Sequence, residues 1–114
     1  MLTEKTFSEM HRLCLDEVFH FYLGDTVEML HLYPGKAGKR VILGNDIARG
    51  ILPQVVVPAG VWQGGRLLPG GKYALMGTTV VPGFEFTDYQ SGDREELINL
   101  FPQYEDLIIS LTTG

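Results

Sequence analysis

From about residue 6 to residue 88, short runs rich in Val, Leu, Tyr and Phe are broken by Gly and Pro at short, fairly regular intervals. This is the rhythm of an antiparallel all-β domain. The runs predict strands over Thr6–Leu13, Glu17–Leu23, Val27–Tyr33, Arg40–Leu43, Gln54–Val57, Val61–Leu67, Tyr73–Val80 and Phe84–Asp88. The breaks at Gly24-Asp25, Pro34-Gly35, Gly44-Asn45-Asp46, Pro58-Ala59-Gly60, Pro69-Gly70-Gly71 and Pro82-Gly83 each supply a fixed φ or tolerance of a positive one, which a tight reversal needs. Beyond them the period becomes helical. Ser91 and Asp93 are candidate N-caps for a helix over Arg94–Phe101, and Pro102 suits the first turn of a second helix running through Leu111. Leu97, Phe101, Tyr104, Leu107, Ile108 and Leu111 form an apolar stripe that should lie against the sheet. We therefore expect one domain over 1–114, a β barrel over about 6–88 and C-terminal helices over 91–112, with no internal repeat or linker. Many short strands hide their edges by closing or sandwiching, and jelly rolls that do so leave a cavity between their sheets.

Composition narrows the partners. The chain has 114 residues, 45% hydrophobic and 20% charged, enough apolar side chain for the core of one domain. A net charge of -5 offers no basic field for a phosphate backbone, which excludes nucleic acid and leaves small molecules and proteins. Cys14, the single cysteine, cannot form an internal disulfide, so a reducing, cytoplasmic setting is expected. The apolar runs fall far short of the roughly 20 residues of a membrane helix, and Met1-Leu2-Thr3-Glu4-Lys5 has no signal-peptide core, so no membrane association is expected.

Glu17-Val18-Phe19-His20-Phe21-Tyr22-Leu23-Gly24 resembles the second half of the first cupin motif, a glutamate followed by six residues and a glycine. His11-Arg12-Leu13 lies where that motif places His-x-His, so His11 matches the first histidine and Leu13 replaces the second. Pro58-Ala59-Gly60-Val61-Trp62-Gln63 is similar to the second motif, with Gln63 at its histidine position. With Pro53-Gln54-Val55-Val56-Val57 and Pro82-Gly83-Phe84-Glu85-Phe86, this set resembles the fifth cupin family, of unknown function, from about Leu2 to Thr112. The resemblance implies a double-stranded β-helix, the RmlC-like jelly roll. Members usually carry an N-terminal arm before the segment like Thr3–Ser8, and here that arm is lacking. Either the chain is a shortened form or a second copy covers the open edge, and a twofold homodimer with strands near the N-terminus at its interface is expected.

Ordinary cupins hold a divalent metal with three imidazoles and a carboxylate. By resemblance this chain offers His11, Glu17 and Gln63, so any metal should be weak and exchangeable. The first functional reading is an isomerase or epimerase acting on a sugar or sugar-nucleotide-like carbonyl compound. In it His11 is the base, Glu17 orients it and Gln63 donates to the developing oxyanion. A non-catalytic small-molecule-binding or sensor module is the alternative, and a weakly metal-dependent lyase or dioxygenase the third.

Strand alternation sorts the neighbours. His20, three residues after Glu17, should face the opposite way, and His31 reads as ordinary strand surface. Cys14 reads as a small hydrophobe. Arg12, Arg66, Trp62, Tyr22, Tyr73 and Phe86 are candidate pocket residues for a polar or anionic ligand. With Gln63 turned to the cavity, however, Val61 and Gly65 share its face, and Trp62, Gly64 and Arg66 take the other.

Overall fold

The structure is a computed structural model, and it describes residues 1–81 and 89–113. Its strands are β1 (Leu2–Thr3), β2 (Ser8–Leu13), β3 (Asp16–Gly24), β4 (Val27–Leu32), β5 (Gly38–Leu43), β6 (Gln54–Val57), β7 (Trp62–Leu67), β8 (Tyr73–Val81) and β9 (Tyr89–Ser91). They form a four-stranded sheet in the order β1-β8-β3-β6 and a five-stranded sheet in the order β5-β4-β7-β2-β9. All the strand pairings are antiparallel. The inner faces enclose a core that takes Phe19, Phe21, Val57 and Ala74 from the first sheet and Val27, Met29, Leu43, Val61 and Leu67 from the second. This is the jelly roll of the sequence reading. Seven of the eight expected strands are present to within about two residues at either end. The eighth, Phe84–Asp88, and the turn Pro82-Gly83 lie outside the described residues. The two-residue β1, the three-residue β9 and a 3₁₀ turn at Ile47–Arg49 were not expected, being too short to show a period.

The helices cover the outer face of the five-stranded sheet. α1 (Arg94–Leu100) is capped by Asp93, whose carboxylate accepts from the backbone N–H of Glu95 and Glu96. Ser91, the other candidate cap, belongs to β9. A 3₁₀ turn at Pro102–Tyr104 leads into α2 (Glu105–Ser110), where a single helix was expected. The stripe of Leu97, Phe101, Leu107, Ile108 and Leu111 packs on Met10, Leu30, Leu32 and Trp62, with Tyr104 at its margin. Tyr104 also donates its hydroxyl to the Gly38 carbonyl at 2.8 Å.

The turn from β3 to β4 is fixed by two features. Gly24 has φ of +110°, and a Cβ there would stand 2.5 Å from the Tyr73 carbonyl oxygen. Beside it the Asp25 carboxylate accepts from the backbone N–H of Lys72 at 2.7 Å and of Tyr73 at 3.2 Å. Those bonds hold its pKa below the ordinary value. Gly24→Ala combines a disfavoured φ with a backbone clash, so it should lower the unfolding free energy by about 2 kcal/mol or more, measured by urea denaturation.

Candidate functional site

One row of residues crosses the inner face of the five-stranded sheet. In it Gln63 on β7 stands opposite His31 on β4 and opposite His11 on β2, and His11 stands opposite Ser91 on β9. From the facing sheet Glu17 on β3 meets this row, and Gln63 Nε2 donates to Glu17 Oε1 at 2.6 Å. His11 Nε2 lies 4.0 Å from the same carboxylate oxygen, within electrostatic reach but beyond a hydrogen bond. His11, Glu17 and Gln63 are thus brought together, each at least 90% buried.

A bulge in β2 sets the orientation of His11. Ser8 pairs with Gly65 and His11 with Gln63, so Glu9 and Met10 together stand against Gly64. The Met10 N–H turns away to the Leu111 carbonyl at 2.8 Å, and the Glu9 carbonyl oxygen lies 2.7 Å from His11 Nδ1. A carbonyl only accepts, so Nδ1 carries a hydrogen, and in the neutral ring the lone pair belongs to Nε2. The Tyr89 ring stacks on the imidazole, with centroids 4.8 Å apart and planes 14° from parallel. His11, Leu13, Glu17, Thr78, Val80 and Tyr89 line a cavity of about 370 Å³. Burial, and then the nearby Glu9 carboxylate, push the Tyr89 phenol above its ordinary pKa, so it stays protonated and can donate.

His31 corrects the sequence reading. It is fully buried on the inner face rather than on strand surface, and neither ring nitrogen has a hydrogen-bond partner among the described residues. The Oε1 of its neighbour Gln63 has no partner among them either. Burial, with the Lys39 charge second, pushes the His31 pKa down to about 4, so the ring is neutral at neutral pH. Its alternation with the apolar Val27 and Met29 on one face was the available signal. A solid run of buried residues over β4 hid it, because this strand is covered on both faces.

Parity disposes of the other candidates. Trp62 faces the helices, with the Arg12 guanidinium 4.5 Å above its ring, while Arg12 Nε donates to Gln90. Arg66 is also on the outer face, where it and Arg40 both donate to the Glu28 carboxylate. On the exposed side of the four-stranded sheet, His20 lies 3.1 Å from the Thr79 hydroxyl and stacks on the solvent-exposed Tyr22. Tyr73 is exposed at the β1 edge, Cys14 is exposed rather than packed, and Phe86 lies outside the described residues.

The sequence model of the fifth cupin family, described as Cupin superfamily (DUF985), matches residues 1–91. The chain belongs to this cupin family. The cupin is 31% identical over 78 residues to the uncharacterized protein YML079W of Saccharomyces cerevisiae, covering 66% of its own length and 39% of the yeast protein's. Among solved structures it is similar to protein SO0799 of Shewanella oneidensis, with a TM-score of 0.90 and 30% identity over 99% of this chain and 71% of that one. A hypothetical protein from Leishmania major gives a TM-score of 0.89 and 27% identity, covering 99% of this chain and 73% of that one. A variant of Bacillus subtilis oxalate decarboxylase shares the fold, with a TM-score of 0.56 and 12% identity over 92% of this chain and 28% of that one. Among the described residues no helix is long and apolar enough to cross a membrane.

The cupin metal does not fit this donor set. Leu13 lines the cavity on the strand that supplies His11, one oxygen of Glu17 already accepts from Gln63, and the Gln63 amide points its nitrogen, not its oxygen, at that carboxylate. Among the described residues no group of three or more His, Cys, Asp or Glu side chains is spaced to hold a metal ion. One imidazole and one shared carboxylate leave most of a coordination shell unfilled.

The buried His31 makes stability depend on pH. Its pKa is about 4 in the folded chain against 6.5 for the free side chain, so between these values the unfolded chain binds more protons and stability falls as pH falls. We expect His31 to account for a loss of about 3 kcal/mol from pH 7 to pH 4. Urea melts of the wild type and of His31→Leu over this range check it, since the variant should lose that part of the slope.

Proposed function

We propose that the cavity at His11 binds a small carbonyl compound and that His11 transfers a proton at the carbon beside the carbonyl, as in an isomerase or epimerase. The observation that carries this reading is the fixed tautomer of His11, whose free Nε2 faces the cavity 4.0 Å from a carboxylate. Proton abstraction by Nε2 creates an imidazolium beside Glu17, whose negative charge stabilises it. The sequence reading gave Gln63 the developing oxyanion. Its amide is spent on Glu17 and it does not line the cavity, so we assign it to holding the carboxylate and give the oxyanion to the protonated Tyr89 hydroxyl.

Exchange of deuterium from D2O into 1-hydroxypropan-2-one, followed by proton NMR, tests this. His11→Ala should slow exchange by about 10² to 10⁴. Tyr89→Phe should slow it less. Wild-type exchange no faster than that of the His11 variant, with binding retained, would replace the enzyme by a binding module.

We also propose that the chain forms a twofold homodimer through the outer face of the four-stranded sheet. That face carries the exposed Tyr22, Val56, Tyr73 and Leu75 and ends in the two-residue edge strand β1, while the helices occupy the outer face of the other sheet. Sedimentation equilibrium should give twice 12.7 kDa at high micromolar concentration, and Val56→Glu should shift it towards monomer.

A further inference from the structure

We propose that the ligand of this site is amphipathic, with a compact carbonyl or hydroxyl head at His11 and Tyr89 and an unbranched apolar substituent in a second cavity beside it. The inference rests on the pocket reading above and narrows its substrate class. The second cavity, of about 140 Å³, is lined by Phe19, Val27, Met29, Gly65, Met76 and Thr78 among others. Thr78 lines the polar cavity too, so the two share a wall. The strand register explains the change of chemistry. Opposite β8, Glu17 pairs with Val80, Phe19 with Thr78 and Phe21 with Met76, so two residues along β3 carry the inner face from a carboxylate to an aromatic ring. On β7 the same step goes from Gln63 to Gly65. A Cβ at Gly65 would just touch Met29 Cγ at 3.4 Å, the Glu28 carbonyl oxygen at 3.5 Å and Val27 Cγ1 at 3.8 Å, so a larger side chain there would fill the space that glycine leaves in this wall.

The chemistry of the walls excludes two ligand classes. A polyol would carry hydroxyls into a cavity where, of the lining side chains, Ser8 and Thr78 alone offer hydrogen bonds. A nucleotide or other phosphate would need several cationic partners, and no Lys or Arg is among the described residues that line either cavity, where the exposed Met1 contributes at most its terminal ammonium. An alkyl chain needs neither, and thioether-lined walls adapt to it.

The test uses protein labelled with carbon-13 at its methionine methyls and titrated with 1-hydroxyalkan-2-ones from propane to octane. Met29 and Met76 line the apolar cavity, while Met10 packs under the helices and serves as an internal control. Dissociation constants should fall about fourfold per added methylene until the cavity is full. Long members should shift the Met29 and Met76 methyls and leave Met10 still, while every member moves the His11 ring signals. Gly65→Val should erase the gain with length and spare the shortest ketone; Gly65→Ala, which adds one methyl in ordinary contact with Met29, Val27 and the Glu28 carbonyl, gives a smaller change in the same direction. Binding at His11 that is flat with length, with Met29 and Met76 unmoved, overturns the inference and leaves the pocket reading standing. Long members that move Met29 and Met76 without His11 overturn the joined site. A series in which no member perturbs His11 overturns both the inference and the reading beneath it.

Discussion

Glu17 places a carboxylate between two sheets whose inner faces are otherwise mostly Val, Leu, Phe and Met, and the Gln63 amide donates to it from the opposite sheet at 2.6 Å. A carboxylate in such a setting is tolerated only with donors in place. The bond therefore does more than join two side chains. It requires β3 and β7 to hold a register in which both residues face inward, and a slip of one residue on either strand would turn one of them out and bring Val18 or Trp62 in. The sandwich and the site are thus specified by the same contact. Removing the amide alone would leave the carboxylate buried without its donor, a costlier change than removing both partners.

The second constraint runs from the helical layer to the imidazole. Gly64 has no side chain because a Cβ there would meet Met10 Sδ at 2.7 Å and the Ser8 carbonyl oxygen at 3.0 Å. That close approach lets β2 bulge, and the bulge gives the Met10 N–H to the Leu111 carbonyl and brings the Glu9 carbonyl to His11 Nδ1. Docking of the last helical turn and the tautomer of the candidate base are consequently two ends of one backbone irregularity. The apolar stripe on the C-terminal helices has a functional reach that its packing alone does not suggest.

What was legible in the sequence follows from these two constraints. Alternation gave the inward side of β7 and the residue before it, with Val61, Gln63 and Gly65, and sent Trp62, Gly64 and Arg66 outward as observed. Asp93, one of two possible caps, could be chosen only once β9 had claimed Ser91. The bulge in β2 left no mark of its own in the sequence, since the two glycines on the facing strand mark a close approach without saying which strand yields. His31 was missed because β4 is buried on both faces, so the alternation that identifies a half-exposed strand vanishes. Tyr89 was missed because its strand is three residues long and owes its place to pairing with β2, not to any local pattern.

The same parity explains why the arginines drop out of the site. Glu28, Arg40 and Arg66 form a buried carboxylate with two guanidinium donors on the helix-facing side, and Arg12 lies over Trp62 on that side too. Cations this near an inner cavity would favour anionic ligands, but each is separated from it by the thickness of a sheet. Among the described residues that line the cavity, the charged side chain beside His11 is the Glu17 carboxylate, and the exposed Lys39 is felt only at His31. On the proposed reading, a site walled by one bonded carboxylate, an imidazole and a protonated phenol would disfavour anions and favour neutral molecules that become negative during proton transfer. For such a molecule the low-dielectric surroundings that make the carboxylate expensive to bury would also strengthen its hold on the imidazolium that the proposed proton transfer creates.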